Sequence, residues 1–331
     1  MIGDERMTTK SPLSAVTPSL SIQLVTFAAH DPGGWQPLLD RARAADRAGI
    51  DRVVVSDHVV FGENLAAYGR PELGGIDGAE QPTGPDGHWL EPMTVLGVLA
   101  GTTSTVRLGT GVLLAALRRP AVLAKSAATL DVLSGGRLDL GVGIGWQREE
   151  YEAAGLEFSA RGRLLDETLA VCQTLWRDTP ASFTSETLHF EGVHAMPKPV
   201  QPGGVPIWVS GTLNARMLDR LVRFGSGWIP WGRYIADPAS GISRAREALS
   251  AGGRDPATLQ VQGSLGIVKR PDGTVDLAQT MAAVPSLVAT GITDFRVSLR
   301  LPPDVEAATE QLTELVTAFR PAAGRERATP R

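Results

Sequence analysis

Eight short apolar segments, each followed by a stretch of helical period, run along the chain, and this alternation limits the fold more than any other feature. The segments are Ser21–Phe27, Arg52–Ser56, Arg107–Leu114, Arg137–Ile144, Pro206–Ser210, Gly227–Trp231, Leu259–Ile267 and Asp294–Leu299. Most are continuous apolar runs, as strands buried on both faces of a parallel sheet require. Between them, Trp35, Leu38, Leu39, Ala42 and Ala45 share one helical face, and Gly49 follows as a C-terminal cap. Leu165, Leu169, Cys172 and Trp176 make a second stripe, and Met217, Leu218, Leu221 and Val222 a third, opened by Asn214 as an N-cap. Val305, Ala308, Leu312, Leu315 and Phe319 make the last, whereas Pro285 interrupts the pattern around Leu277–Val288. Eight strand–helix units favour a closed (β/α)8 TIM barrel over an open doubly wound sheet. The pattern predicts one barrel domain over residues 19–320, with insertions near 61–90 and 179–201. Residues 1–18 and 321–331 read as disordered tails.

A length of 331 residues suits one large barrel as well as two average domains. Hydrophobic residues at 43 % and charged residues at 21 % describe a folded chain with a sizeable core. The net charge, 32 − 36 = −4, gives no electrostatic case for nucleic acid. A single cysteine, Cys172, excludes an intramolecular disulfide framework and any multi-cysteine metal site. The histidines show no metal-ligand spacing, so no metal is expected. No run of 18 uncharged apolar residues is present, so no membrane partner is expected. The polar stretch from Met1 to Pro18 lacks the apolar core of a signal peptide, and a cytoplasmic location is the expectation.

Three strand ends carry candidate chemistry. Ser56-Asp57-His58 closes the second strand, where polar side chains of a barrel enter the site. Imidazole there can move a proton near neutral pH, or the Asp-His pair can simply cap the strand. Gly141-Val142-Gly143-Ile144-Gly145-Trp146 follows the fourth strand. It is no dinucleotide fingerprint, because the third glycine of G-x-G-x-x-G falls on Trp146. Its glycines either keep side chains away from a flat ligand or allow tight strand packing. Ser210-Gly211-Thr212 precedes Asn214 and a helix, a natural phosphate seat though a common pattern. Cys172 lies on an apolar stripe and reads as core, and no G-x-S-x-G elbow supports a serine hydrolase.

Taken together, these segments resemble the bacterial luciferase-like superfamily of flavin and deazaflavin oxidoreductases, most closely its coenzyme F420-dependent branch. The resemblance runs from Ser21 to about Phe319. It is carried by Ser56-Asp57-His58, Glu91-Pro92, Val106-Arg107-Leu108-Gly109-Thr110-Gly111-Val112, Arg119-Pro120 and Ser134-Gly135-Gly136-Arg137-Leu138. Gly141 to Trp146, Glu149-Glu150-Tyr151, Gly155 and Arg161-Gly162-Arg163 complete it. The resemblance implies a ring of F420, or alternatively FMN, at the C-terminal mouth of the barrel. It places Asp57 and His58 near the reactive face, with His58 as the catalytic residue. Thr110, Gly111 and Val112 would support the other face, with a cis peptide between Gly111 and Val112. Gly145, Trp146 and Glu149 would lie near the cofactor, Ser210, Gly211 and Thr212 would hold its phosphate, and Gly227 and Trp228 would adjoin. Trp146 stands where sugar-phosphate-oxidising members carry a carboxylate, which argues against such a substrate. The expected activity is hydride transfer between a deazaflavin and a small organic substrate, with FMN-dependent monooxygenation as the alternative. A flavin- or deazaflavin-binding protein without turnover is the alternative of another class, and a homodimer is compatible with either. Phe61, Leu90, Trp146, Trp228 and Trp231 are the expected walls of an apolar pocket.

Overall fold

The computed structural model describes residues 16–325. Eight parallel strands close on themselves in chain order: β1 (Ser19–Gln23), β2 (Arg52–Val55), β3 (Arg107–Thr110), β4 (Leu138–Val142), β5 (Ile207–Gly211), β6 (Gly227–Pro230), β7 (Gln260–Ser264) and β8 (Asp294–Val297). The closing pair is β1 with β8, in the register Leu20↔Phe295 and Ile22↔Val297. All four residues of β2 are buried, as are all five of β4, which explains why these strands read as apolar runs.

Among the described residues ten helices lie between and after the strands: α1 (Gln36–Ala48), α2 (Pro92–Thr102), α3 (Pro120–Leu133), α4 (Arg148–Ala153), α5 (Arg161–Arg177), α6 (Ala215–Phe224), α7 (Pro238–Ala251), α8 (Leu277–Ala282), α9 (Val284–Thr290) and α10 (Val305–Ala322). Local chemistry sets their ends. Gly49 caps α1, and the Asn214 side chain accepts from the Met217 N–H at 3.0 Å to open α6. Pro285 falls in the first turn of α9, where a missing N–H removes no helical bond, so the interrupted pattern resolves into two helices. No helix of the described residues is long and apolar enough to cross a membrane.

Two stretches stand outside the alternation of barrel strands and helices. The second insertion carries an antiparallel hairpin, Ala181–Thr184 against His189–Val193. In the first, His88–Trp89 pairs with Phe27–Ala28 just beyond β1, and two 3-10 turns, Leu65–Gly69 and Pro71–Leu73, stand among irregular loop. Two expectations need correction. The chain stays ordered past Phe319, because α10 runs through Ala322 and Arg325 pairs with Asp51 at 2.6 Å. Residues 326–331 and 1–15 lie outside the described residues. The strands also stop early: β3 ends at Thr110 rather than Leu114, and β4 at Val142 rather than Ile144. Beyond those points the chain leaves the ladder to wall a cavity.

Candidate active site

At the C-terminal ends of the strands lies a cavity of about 770 Å³. That is the end where barrel chemistry occurs, because loops there can vary without disturbing the ladder. His58 emerges from β2 into this cavity. Its ring is enclosed by Phe61 (centroids 4.5 Å apart), Trp89 (4.8 Å, edge-on) and Trp146 (5.9 Å, edge-on). Trp89 in turn stacks on Phe27 at 4.3 Å. The imidazole therefore sits in an aromatic chamber.

The first turn of α4 grips the segment that follows β2. Glu150, whose side chain is fully buried, places Oε1 3.3 Å from His58 Nδ1, and the same oxygen accepts from the Val59 N–H at 2.8 Å. Gln147 directs its amide nitrogen to the Val60 carbonyl (3.1 Å) and accepts from the Gly62 N–H (3.0 Å). Tyr151 anchors the other side of the turn by donating to the Ile144 carbonyl at 2.7 Å, and burial raises the pKa of its phenol.

Asp57 has a different task from its neighbour. Its buried carboxylate forms a two-point pair with Arg118 and accepts from the Leu114 N–H at 2.8 Å. It thus ties β2 to the segment that bulges away from β3. Burial alone would lower the Arg118 pKa, but the pairing with Asp57 and Glu91 more than offsets it, so the guanidinium is held above its ordinary value. Within that bulge the Gly111–Val112 peptide is cis, as expected. The glycines in β4 and just beyond it settle an open question. A Cβ on Gly141 would stand 2.0 Å from the Thr110 carbonyl oxygen, and one on Gly143 would stand 2.7 Å from Val112. At Gly141 close strand packing is the reason for glycine. At Gly143 the same packing holds the Val112 wall, and the backbone also lines the cavity.

Opposite His58, Ser210, Gly211 and Thr212 lead into the N-terminus of α6. Arg161 and Arg216 line the same side, and no carboxylate pairs with either among the described residues. The Arg161 Nε is buried without a hydrogen-bond partner. Arg161 also donates from Nη1 to the Phe158 carbonyl at 3.0 Å, and its remaining donors, those of Arg216 and the helix N–H groups together suit a phosphate. The floor is polar, with Gln23, Gln262 and Arg296. The first insertion covers the mouth, where the Trp231 indole donates to the Gly74 carbonyl at 2.9 Å and Tyr68 packs on Trp146 at 5.4 Å.

Of the residues singled out in the sequence, Asp57, His58, Gly111, Val112, Gly145, Trp146, Ser210, Gly211 and Thr212 line one cavity. Four do not. Thr110 is turned into the ladder, donating to the Gly141 carbonyl at 2.7 Å. Glu149 lies behind the wall against Gly62, and Gly227 packs on Trp208. Trp228 is fully buried under the wall, donating to the Gly211 carbonyl at 3.0 Å and meeting Tyr234 edge-on. Among the expected walls, Trp146 and Trp231 line the cavity, Phe61 backs His58, and Leu90 packs on the core. Sequence reasoning missed Glu150, although it quoted the Glu149-Glu150 pair. A period of 3.6 puts adjacent residues about 100° apart, and burial of Tyr151 favours position 150 for the inward carboxylate. Phe27, Trp89 and Arg296 carried no local signal.

The model of the luciferase-like monooxygenase family matches residues 20–328. The chain belongs to this family. An uncharacterized protein of Mycobacterium tuberculosis (strain H37Rv) is 36 % identical over 166 residues, which cover 50 % of this chain and 58 % of that one. A phthiodiolone/phenolphthiodiolone dimycocerosates ketoreductase of M. tuberculosis (strain CDC 1551) is 38 % identical over 185 residues, covering 54 % and 47 %. The chain thus spans about half the length of the curated relatives it matches. Among solved structures, an F420-dependent secondary alcohol dehydrogenase in complex with an F420-acetone adduct superposes with a TM-score of 0.69 at 17 % identity, covering 92 % of this chain and 99 % of that one. Monooxygenase RslO1 from Streptomyces bottropensis gives 0.68 at 20 %, with the same coverage. At such identities the likeness is one of fold.

Proposed function

We propose that this enzyme is an F420-dependent oxidoreductase acting on a small, largely apolar substrate that carries a hydroxyl or carbonyl group. The observation that carries the reading is the imidazole of His58, exposed to the cavity inside an aromatic chamber and held from behind by a buried carboxylate. Such a wall excludes water and offers one proton-handling group.

The residues fit the cofactor on two counts. The unpartnered Arg161 Nε and the α6 N-terminus suit the phosphate, and the glycine backbone at 143 and 145 leaves a flat wall without side chains. When bound, a deazaflavin supplies two-electron hydride chemistry, which the protein itself lacks. His58 would accept the proton of a substrate hydroxyl, or return it to a carbonyl oxygen. Asp57 would keep the Gly111–Leu114 wall in place through Arg118 and the Leu114 N–H. The covering insertion would keep water out while Trp231 holds Gly74.

The relative named as a ketoreductase and the fold neighbour with an F420-acetone adduct both support carbonyl and alcohol chemistry. FMN with oxygen chemistry is the second reading, favoured by the monooxygenase neighbour. Titration of purified protein with F420 and with FMN, followed by cofactor fluorescence, separates the two. Micromolar quenching by F420 and reduction of bound F420 by a secondary alcohol are expected. Binding of FMN alone would overturn the F420 reading.

A further inference from the structure

We propose that Glu150 is the positioning residue of a His58–Glu150 dyad: it fixes the imidazole as the Nδ1–H tautomer, so that a bare Nε2 is left to take the substrate's hydroxyl proton. The inference rests on the reading of His58 as the proton-handling group and adds the device that prepares it.

Glu150 is buried more deeply than a carboxylate tolerates without strong partners. No lysine or arginine lies within ion-pair distance of it among the described residues. Its Oε1 is shared by the Val59 N–H at 2.8 Å and His58 Nδ1 at 3.3 Å, and its Oε2 has no partner. One backbone N–H and one ring nitrogen thus converge on a single oxygen of this side chain.

A backbone anchor alone would not require a carboxylate. Gln147, one turn earlier on the same helix start, pins Val60 and Gly62 with a neutral amide. An amide at position 150 could hold Val59 just as well. The oxygen that takes the Val59 N–H accepts, so the ring nitrogen facing it must carry the hydrogen, and a carboxylate, unlike an amide, can also answer the charge of an imidazolium. Nδ1–H toward Glu150 leaves the Nε2 lone pair as the free nitrogen of a ring that lines the cavity. No hydrogen bond to Nε2 competes for it among the described residues. In the step this prepares, the substrate O–H bond breaks and an Nε2–H bond forms. The resulting imidazolium is then stabilised by the buried carboxylate behind it, as in other base–carboxylate pairs. In the reverse direction the same proton returns to the carbonyl oxygen.

The test reads the tautomer directly, in the protein without cofactor. The chain has five histidines, and comparison with His58→Gln assigns the His58 imidazole in an ¹⁵N-histidine spectrum. At pH 8 the wild type is expected to show protonated Nδ1 and bare Nε2. Glu150→Met, which removes the acceptor at nearly the same length, is expected to show both tautomers. Glu150→Gln, whose amide oxygen can still accept from Val59 and from Nδ1, should melt within a few degrees of wild type and keep the Nδ1–H tautomer without the countercharge. With F420 and 2-propanol, kcat should fall roughly tenfold to a hundredfold in both variants with little change in KM. If Glu150→Met folds with an unchanged tautomer, if Glu150→Gln keeps full kcat, or if wild-type His58 carries its proton on Nε2, the proposal is overturned. A tautomer that is locked in wild type and released in Glu150→Met, in a protein that turns over no alcohol, keeps the dyad and removes the functional reading instead.

Discussion

Both ends of the barrel hold buried ion pairs, Asp57 with Arg118 at the mouth among them, but they differ in how many buried polar groups are left unanswered. At the N-terminal end, Arg52 Nε binds Asp139 at 2.9 Å and its Nη1 binds Asp294 at 2.6 Å, while Arg107 holds Asp139 from the other side at 2.7 Å. Asp294 also accepts from the Ser19 and Ser21 hydroxyls at 2.9 and 2.8 Å. At the C-terminal mouth, Glu150 faces one imidazole, and Ser56 Oγ, Gln81 Oε1 and Arg161 Nε are buried without partners. Closed networks fix strands against one another. Open valences around a cavity keep groups available for a ligand, at the expense of local stability.

Breaking the closed end should have the largest effect. Asp294→Ala leaves the buried Arg52 with one fewer carboxylate and frees Ser19 and Ser21, so urea unfolding should report a loss of about 3–5 kcal/mol. A loss below about 1 kcal/mol would show that this network is not what closes the barrel. At the open end, His58→Ala should lower turnover by roughly 10²–10⁴ while the melting temperature holds, since a side chain at the cavity wall contributes little core. Full turnover in this variant would reduce His58 to a shape-giving role. Asp57→Asn lies between these cases. It weakens the grip on Arg118, which keeps Glu91, and should cost about 1–2 kcal/mol in thermal unfolding. It should also weaken cofactor binding through the Gly111–Leu114 wall. If stability drops and binding does not, the wall is held by other contacts.

Acid titration compares the ends without mutation and should give the mildest change near neutrality. Burial pushes Asp139 toward higher pKa, but Arg52 and Arg107 beside it more than offset this, so its carboxyl is held below the usual range. A depressed native pKa contributes stability that is full above the unfolded value and is lost as pH falls through the native value. The urea midpoint should therefore stay level from pH 7 to about 5 and fall below about pH 4. A decline beginning near pH 6 would place the pH-sensitive stability elsewhere than in this network.

The strands, though not where they end, were legible because barrel strands are buried on both faces, so Arg52–Val55 and Leu138–Val142 announce themselves as apolar runs. Asn214 and Gly49 were legible because caps are local chemistry. Glu150 was harder, since choosing it over Glu149 requires knowing which face of α4 meets the segment after β2. Trp228 misled for a related reason. It is the second residue of β6, short of the strand's C-terminal end, and its ring packs under α7, where Gly241 leaves it room.

By itself, the order of residues determined eight strands, their helices, the strand-end Asp57-His58 and the glycines that let β3 and β4 approach. Each of these depends on neighbours within a few positions or on one repeating period, which a linear chain records. The tertiary structure alone decided that Phe27, Trp89 and Trp146 enclose one imidazole, that Glu150 stands 92 positions from His58 and yet touches it, and that Arg118 serves Asp57. Those contacts exist only once the barrel closes. Closure is driven by non-directional burial of apolar surface, which leaves no trace of its specific pairings in the sequence.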